Sequence, residues 1–354
     1  MFGLGAKRSF GIDIGTQTIK IAEMHKKGGK SYLANYVLWT DTLTEVLQEK
    51  GGKRVSSAKH IASILLGVSK QAGMSLQDAY FAIPSYLAFS AIIDFPLMSD
   101  EELINAVPLE AKQYIPVPIE DVQVDWINLG KSEKTGGVQV LLMAIPNTVV
   151  AKYLKIARLL NIEVKGFELD VFSQIRSIAL DKKRTCVIDV GARSSSVSIL
   201  GADQQLMLTR SYDVGGNQIT NQIATAKAVD PEEAEELKKN NGLNGQDEKT
   251  VQVVRSVLQN FIANDVGSLL REYESKNANP IEHVVIVGGI SRMRGVRDFF
   301  EEQVHAMGAQ YSTVQVGIAR PTTEVTVKDG FEELFQESIW QDVALAVGIA
   351  LREG

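Results

Sequence analysis

Phe10-Gly-Ile-Asp-Ile-Gly15 and Cys186-Val-Ile-Asp-Val-Gly191 decide how this chain is read. Each is a short apolar run that ends in Asp-x-Gly. After each, polar and apolar residues alternate: Thr18-Ile-Lys-Ile-Ala-Glu23 in the first copy, Ser196-Val-Ser-Ile-Leu200 in the second. That alternation is the period of a strand with one buried face. Ile12 and Ile188 stand half a chain apart in a protein of 354 residues, the spacing of a duplicated domain.

Outward from the first copy, Lys26-Lys-Gly-Gly-Lys30 reads as a turn and Ser31 to Leu38 as a third strand, which completes an antiparallel meander. A helix is expected from Ser57, with Ile61, Ile64, Leu65 and Val68 on one face. Ala79–Ile83 reads as a strand returning to the same sheet and ending at Pro84. The texture then changes. Leu87–Phe95 is a strand, Ser99-Asp-Glu-Glu102 has the capping-box pattern, and Leu103, Val107 and Ala111 give that helix its apolar stripe. Pro108 is expected to kink the helix. Strands at Val122–Leu129 and Val138–Ile145 follow, then a helix from Asn147 striped by Val150, Leu154, Ala157 and Leu160. This β-α-β-β-α set is expected to bury its own core as an inserted unit over 86–163.

The second copy carries its own insertion. Asp230-Pro to Lys239 is a helix with acids first and lysines last. Asn240–Lys249 is polar and is expected to be a mobile loop. A long helix from Val251 buries Val254, Val257, Leu258, Phe261, Val266, Leu269 and Tyr273. Glu282–Val287 is a buried strand entering Gly288-Gly289, and Asp342–Ala350 closes the chain as a helix of small residues.

Composition narrows the possibilities. The chain is 45 % apolar and 23 % charged, ordinary for a soluble globular protein. A net charge of −6 argues against nucleic acid as a partner. Its one cysteine, Cys186, lies in an apolar run, so a reducing setting is expected. No apolar run of membrane-spanning length occurs, and Met1–Arg8 reads as a frayed terminus. Gly28-Gly-Lys-Ser31 lacks the first glycine of a P-loop, since position 24 is Met24. His25, His60, His283 and His305 have no metal-ligand spacing.

Three stretches carry chemistry. In Asp13-Ile-Gly15-Thr16-Gln17-Thr18, a glycine turn brings backbone N–H groups close enough for phosphate oxygens, the two threonines add hydroxyls, and Lys20 adds charge. An aspartate beside phosphate needs a cation between them, which implies Mg²⁺ held through water. Asp189-Val-Gly191-Ala-Arg-Ser194-Ser195 repeats that chemistry. One copy alone is equally a plain hairpin; two copies favour turns that face each other. Gly288-Gly289-Ile-Ser291-Arg292 leaves room for adenosine against the backbone and opens a helix at Ser291.

In this order the three resemble the phosphate-1, phosphate-2 and adenosine motifs of the actin, heat-shock-chaperone and sugar-kinase superfamily. Ala344-Leu-Ala-Val-Gly348 resembles its connect-2 helix and Glu168-Leu-Asp170 its connect-1 segment. The resemblance implies an α/β, duplicated actin-like (ribonuclease H-like) ATPase fold with a nucleotide cleft between its halves. It implies ATP and Mg²⁺ as cofactors, with Asp13 and Asp189 as metal-side acids. Glu168 or Asp170 would orient water, and Glu235 and Lys238 would meet the ribose and base.

An insertion after Pro84, rather than after the third strand, resembles FtsA and the PilM family. Phe95-Pro96, Glu101-Glu-Leu and Glu110-Ala-Lys-Gln-Tyr-Ile-Pro116-Val-Pro-Ile-Glu120 resemble PilM in particular. FtsA carries a C-terminal membrane-targeting helix, and this chain ends at Gly354 soon after connect-2. The expected subdomains are 1A (1–85, 164–184 and 340–354), 1C (86–163), 2A (185–215 and 280–339) and 2B (216–279). The PilM resemblance implies a cytoplasmic scaffold, peripheral to the inner membrane, with at most slow ATPase activity. It would bind the N-terminal peptide of PilN at a groove including Tyr114, Ile115 and Pro116. Other pilus platform proteins, motor ATPases and a second copy are further expected partners. The alternatives are an FtsA-like filament former and a small-molecule kinase.

Overall fold

The computed structural model describes residues 7–40, 58–132, 135–277, 279–327 and 339–352. Met1–Ala6, the expected helix start at Ser57, and Gly354 lie outside the described residues.

Strands β1 (Lys7–Ile14), β2 (Thr18–Lys27) and β3 (Lys30–Thr40) form the expected meander. Helix α1 (Ala58–Gln71) buries Ile61, Ala62 and Leu65, and β4 (Asp78–Ile83) returns parallel to β1. The inserted unit follows: β5 (Phe89–Phe95), α2 (Asp100–Tyr114), β6 (Val122–Lys131) and β7 (Val138–Pro146). Helix α3 (Asn147–Leu160), β8 (Glu163–Leu169) and α4 (Asp170–Ser177) lead back to the first half.

The second half opens with β9 (Thr185–Val190), β10 (Ser195–Leu200) and β11 (Leu206–Tyr212). Helices α5 (Gly216–Lys227), α6 (Pro231–Asn241) and α7 (Glu248–Asn260) come next, and a π-helical stretch, Phe261–Val266, joins α7 to α8 (Gly267–Lys276). Then come β12 (His283–Val287), α9 (Val296–Ala306), β13 (Gln315–Ile318), β14 (Val325–Val327) and α10 (Ile339–Ala350).

The duplication shows in the sheets. The first runs β14-β3-β2-β1-β4-β8 and the second β11-β10-β9-β12-β13. Apart from β14, both consist of an antiparallel meander with two parallel strands added beyond its first strand. Each half has its own core, one around Ile12, Ile21 and Phe81, the other around Ile188, Phe261 and Phe300.

The inserted sheet, ordered β5-β7-β6, packs its third core against α2 through Leu103, Val107 and Ala111, all fully buried. Each such Leu or Val contributes about 1.5–3 kcal/mol. Ser99 and Glu102 form the full capping box, and α2 continues through the exposed Pro108. Strand β7 is buried on both faces because alternate residues serve two cores: Val140, Leu142 and Ala144 face α2's, while Leu141 and Met143 join the first half's.

Four expectations change. Helix α3, read as part of the inserted core, instead adds Tyr153, Ile156 and Ala157 to the first half's core, so its buried stripe is not centred on Leu154. Residues 325–327, assigned to the second half, pair as β14 with β3 in the first sheet. Asn240–Lys249 is no loose loop. Leu243 is buried in the second core, Asp247 caps α7 and pairs with Lys227, and Lys249 is already helical. Ile115, proposed for a partner groove, is buried in the core of the inserted unit.

Helix α10 is buried on nearly all sides and lies across β1, β2 and α4. A Cβ at Gly348 would collide with the carbonyl oxygen of Ser173 on α4, so the two helices cross at a distance only glycine permits.

Candidate functional site

The two Asp-x-Gly hairpins close in the same way. The Gly15 N–H donates to the Thr18 carbonyl at 2.9 Å, and the Gly191 N–H donates to the Ser194 carbonyl at 3.0 Å. Their tips, Thr16-Gln17 and Ala192-Arg193, line one cleft between the halves. The cleft has a volume of about 140 Å³ and is open to solvent, and residues of both halves line it.

Asp13 is buried at the end of β1, opposite Lys20 on β2, whose Nζ lies 3.1 Å away. Asp189 ends β9 and accepts a hydrogen bond from Gln174 Nε2 at 2.8 Å. Gly288, at the end of β12, has φ +76° and lies against Asp189. A side chain there would collide with the Asp189 carboxylate and crowd the Val190 carbonyl. Gly288 and Gly289 both line the cleft.

Asp170, the first residue of α4, also lines the cleft and accepts from Ser85, whose backbone N–H is 3.1 Å away and whose hydroxyl bonds the same oxygen. Burial drives its carboxyl up to about 7, against the pull of the Ser85 hydrogen bonds and with a further push from Asp189 and Asp13. Burial likewise raises Asp189, partly opposed by Gln174 and Lys20. Burial works against the Lys20 charge, but Asp13, with smaller contributions from Asp189 and Asp342, outweighs it and holds the amine above its ordinary range. The floor of the cleft therefore concentrates acids around a single lysine.

Other residues singled out from the sequence sit further off. Glu168 stands away from the cleft lining, in an ion pair with Arg176 (2.8 Å) and a hydrogen bond from Ser173 (2.8 Å). Arg176 also donates to the Gly348 carbonyl, so this cluster ties β8, α4 and α10 together. Of the two connect-1 acids, Asp170 alone reaches the cleft. Ser195 donates to the Val214 carbonyl at 2.5 Å, which fixes the second hairpin to the segment before α5. Ser291 donates to the Gly288 carbonyl at 2.7 Å, and Arg292 pairs with Asp342. These three support the cleft from behind. Glu235 and Lys238 are paired at 2.6 Å and also bond Thr220. Lys238 reaches the Gly216 carbonyl at 3.3 Å, and the Gly216 N–H bonds the Gly191 carbonyl, so the pair stands one residue behind the second turn.

The cleft also includes residues not expected from sequence: Pro84, Tyr86, Gln174, Arg193 and Gln341. Arg193 stood inside the second motif, and Gln174 lies four residues after Asp170, one helical turn on; both signals were there to read. Tyr86 had none, because its place depends on the fold of the inserted unit. At the proposed partner corner, Tyr114 and Pro116 are exposed while Ile115 is not. Among the described residues, no three metal-ligating side chains converge, and no helix is long and apolar enough to cross a membrane.

Solved structures share this fold. A PilM–PilN type IV pilus biogenesis complex aligns at TM-score 0.79 and 24 % identity, covering 97 % of this chain and 98 % of the other. The ethanolamine utilization protein EutJ from Carboxydothermus hydrogenoformans aligns at TM-score 0.56 and 15 % identity, over 99 % and 90 %. MreB5 of Spiroplasma citri bound to ADP aligns at TM-score 0.50 and 12 % identity, over 89 % and 92 %. The family model for type IV pilus assembly protein PilM matches residues 11–354. With the matched hairpins and the unit inserted after β4, that match makes the chain a member of the PilM family of actin-like type IV pilus assembly proteins.

Proposed function

We propose that the cleft binds Mg-ATP and that the chain is a cytoplasmic scaffold of the type IV pilus inner-membrane platform. In this reading it holds the N-terminal peptide of a PilN-like membrane protein and couples nucleotide state to pilus assembly. The observation that carries the nucleotide reading is the pair of matched turns, each closed by a glycine N–H, that line one cleft from its two sides. An ADP-bound relative with the same fold supports it.

The backbone N–H groups at the turn tips, Thr16–Gln17 and Ala192–Arg193, face phosphate oxygens, and Lys20 supplies a positive charge. The acid-rich floor suits a hard cation. With no three protein ligands converging among the described residues, Mg²⁺ would be held by Asp13 and Asp189 through water and by phosphate oxygens. When bound, it neutralises phosphate charge. Gly288 and Gly289 leave the adenosine side open, with Glu235 and Lys238 beyond. Both Ser85 donors go to Asp170 Oδ1, so Oδ2 is the oxygen left to hold a water, and Asp170 is the connect-1 acid suited to orient it.

For the partner, the solved PilM relative is described as a complex with PilN, and the exposed Tyr114, Pro116 and Val117 offer an apolar corner on the inserted unit. Calorimetry with Mg-ATP tests the cleft: micromolar to millimolar binding is expected, and none at millimolar nucleotide contradicts it. Fluorescence anisotropy with a labelled N-terminal peptide of a PilN-like protein tests the partner. Equal binding by the parent and Tyr114→Asp would move the groove elsewhere.

A further inference from the structure

The inserted unit is joined to the first half at a one-turn 3-10 segment, Ser85–Leu87, just before β5. Both halves grip that turn at the cleft. From the first half, Asp170 accepts both the backbone N–H and the hydroxyl of Ser85. From the second half, the guanidinium of Arg193, at the tip of the second hairpin, lies over the ring of Tyr86, 5.9 Å from its centroid. Beyond the turn, β5 is an edge strand that pairs with β7, and both turn and strand lie against β11 of the second half. The groups that hold the turn therefore line the cleft, while the strand it feeds belongs to the inserted unit.

We propose that Ser85–Leu87 couples occupancy of the cleft to the inserted unit, with Ser85 as the positioning residue. This rests on the nucleotide reading above. A charge-assisted bond from Arg193 to a phosphate oxygen is stronger than an exposed contact over an aromatic ring, so a triphosphate draws Arg193 off Tyr86. Water ordered beside that phosphate bonds Asp170 Oδ2 and, by drawing carboxylate charge toward it, weakens the two Ser85 bonds at Oδ1. Both grips loosen together, and the edge strand β5 loosens with them. By reciprocity, whatever holds the inserted unit in place alters how tightly nucleotide is held.

Hydrogen–deuterium exchange on the full chain tests this, with no nucleotide, Mg-ADP and Mg-ATP, for the parent, Ser85→Ala and Ser85→Thr. Mg-ATP is expected to speed exchange of the Phe89–Phe95 amides in the parent by about fivefold, the equivalent of roughly one net hydrogen bond. Ser85→Ala, which leaves the cleft lining intact, should bind Mg-ATP at least as tightly as the parent and up to about fivefold tighter, because the grip that ATP must loosen is already gone. Its β5 amides should already exchange fast without nucleotide and gain less than about twofold on adding it. Ser85→Thr keeps the hydroxyl and should respond as the parent does. A parent that binds Mg-ATP in calorimetry with unchanged β5 exchange overturns the coupling and leaves the nucleotide reading standing. So does a Ser85→Ala protein whose β5 responds as fully as the parent's. A parent that fails to bind Mg-ATP overturns both.

Discussion

The two hairpins have the same backbone and different surroundings for their carboxylates. Asp13 has Lys20 directly across the hairpin, and in the second copy that register holds Ser196 opposite Asp189. Asp189 relies instead on a neutral donor, Gln174 of α4. The strand beside each differs as well. Ala82 pairs with Asp13 and is followed by the fully buried Ile83, whereas Val287 pairs with Asp189 and is followed by Gly288. Duplication kept the turn that can face phosphate and let the electrostatics diverge. The first acid is compensated within the protein. The second is penalised by burial, which a neutral hydrogen bond and the more distant Lys20 only partly offset, and it gains most from a cation supplied with a ligand.

The sharpest break in that comparison is Gly288→Val. A β-branched residue at φ +76°, aimed at Asp189, should destabilise the fold by about 2–4 kcal/mol in urea unfolding and abolish nucleotide binding. Next comes the stability of the acid variants. Asp13→Ala leaves Lys20 buried without its nearest counter-charge and should cost about 2 kcal/mol. Asp189→Ala removes an acid that burial already disfavours and should stay within about 1 kcal/mol of the parent at pH 8. Equal losses in urea unfolding would mean the two turns are electrostatically alike.

Asp170 adds a pH signature. Its carboxyl is raised from the ordinary 3.8 to about 7, so between those values it stays protonated in the fold while the unfolded chain ionises. Its cost to folding is therefore absent below about pH 4, grows as pH rises and is complete above about pH 7. Asp170→Asn should gain little at pH 4.5 and about 1–3 kcal/mol at pH 8 in thermal unfolding. A gain that shrinks with rising pH would reverse the assignment.

Much of this architecture could be read from the chain because hairpins, caps and buried strands are encoded locally. Asp13-x-Gly15, the Ser99–Glu102 box and the Asp230–Pro231 helix start each specify their own geometry within a few residues. What could not be read depends on contacts far along the chain. Ile115 belongs to a core completed by β6 and β7, α3 turns toward the first half, and Leu243 reaches the second core because its N–H meets the Arg294 carbonyl. Glu168 and Asp170 are two residues apart, and only packing with Arg176 and α10 sends one into the junction of β8, α4 and α10 and leaves the other at the cleft.

The smallest expected effect distinguishes neighbours on α6. Glu235–Lys238 is part-buried beside the second turn, while Glu236–Lys239 is an exposed pair at 3.0 Å. Lys238→Ala should weaken Mg-ATP binding by roughly three- to tenfold, and Lys239→Ala should leave it unchanged. The opposite order would put the adenosine-side contact one residue along.

The central claim is that one nucleotide is clasped by both hairpins at once. Titration calorimetry of Mg-ATP into the parent, Asp13→Ala and Asp189→Ala tests it directly. Each variant is expected to bind at least about tenfold more weakly than the parent, a loss of about 1.4 kcal/mol. Parent-like affinity in either folded variant would show that its hairpin does not hold the nucleotide and would contradict the account.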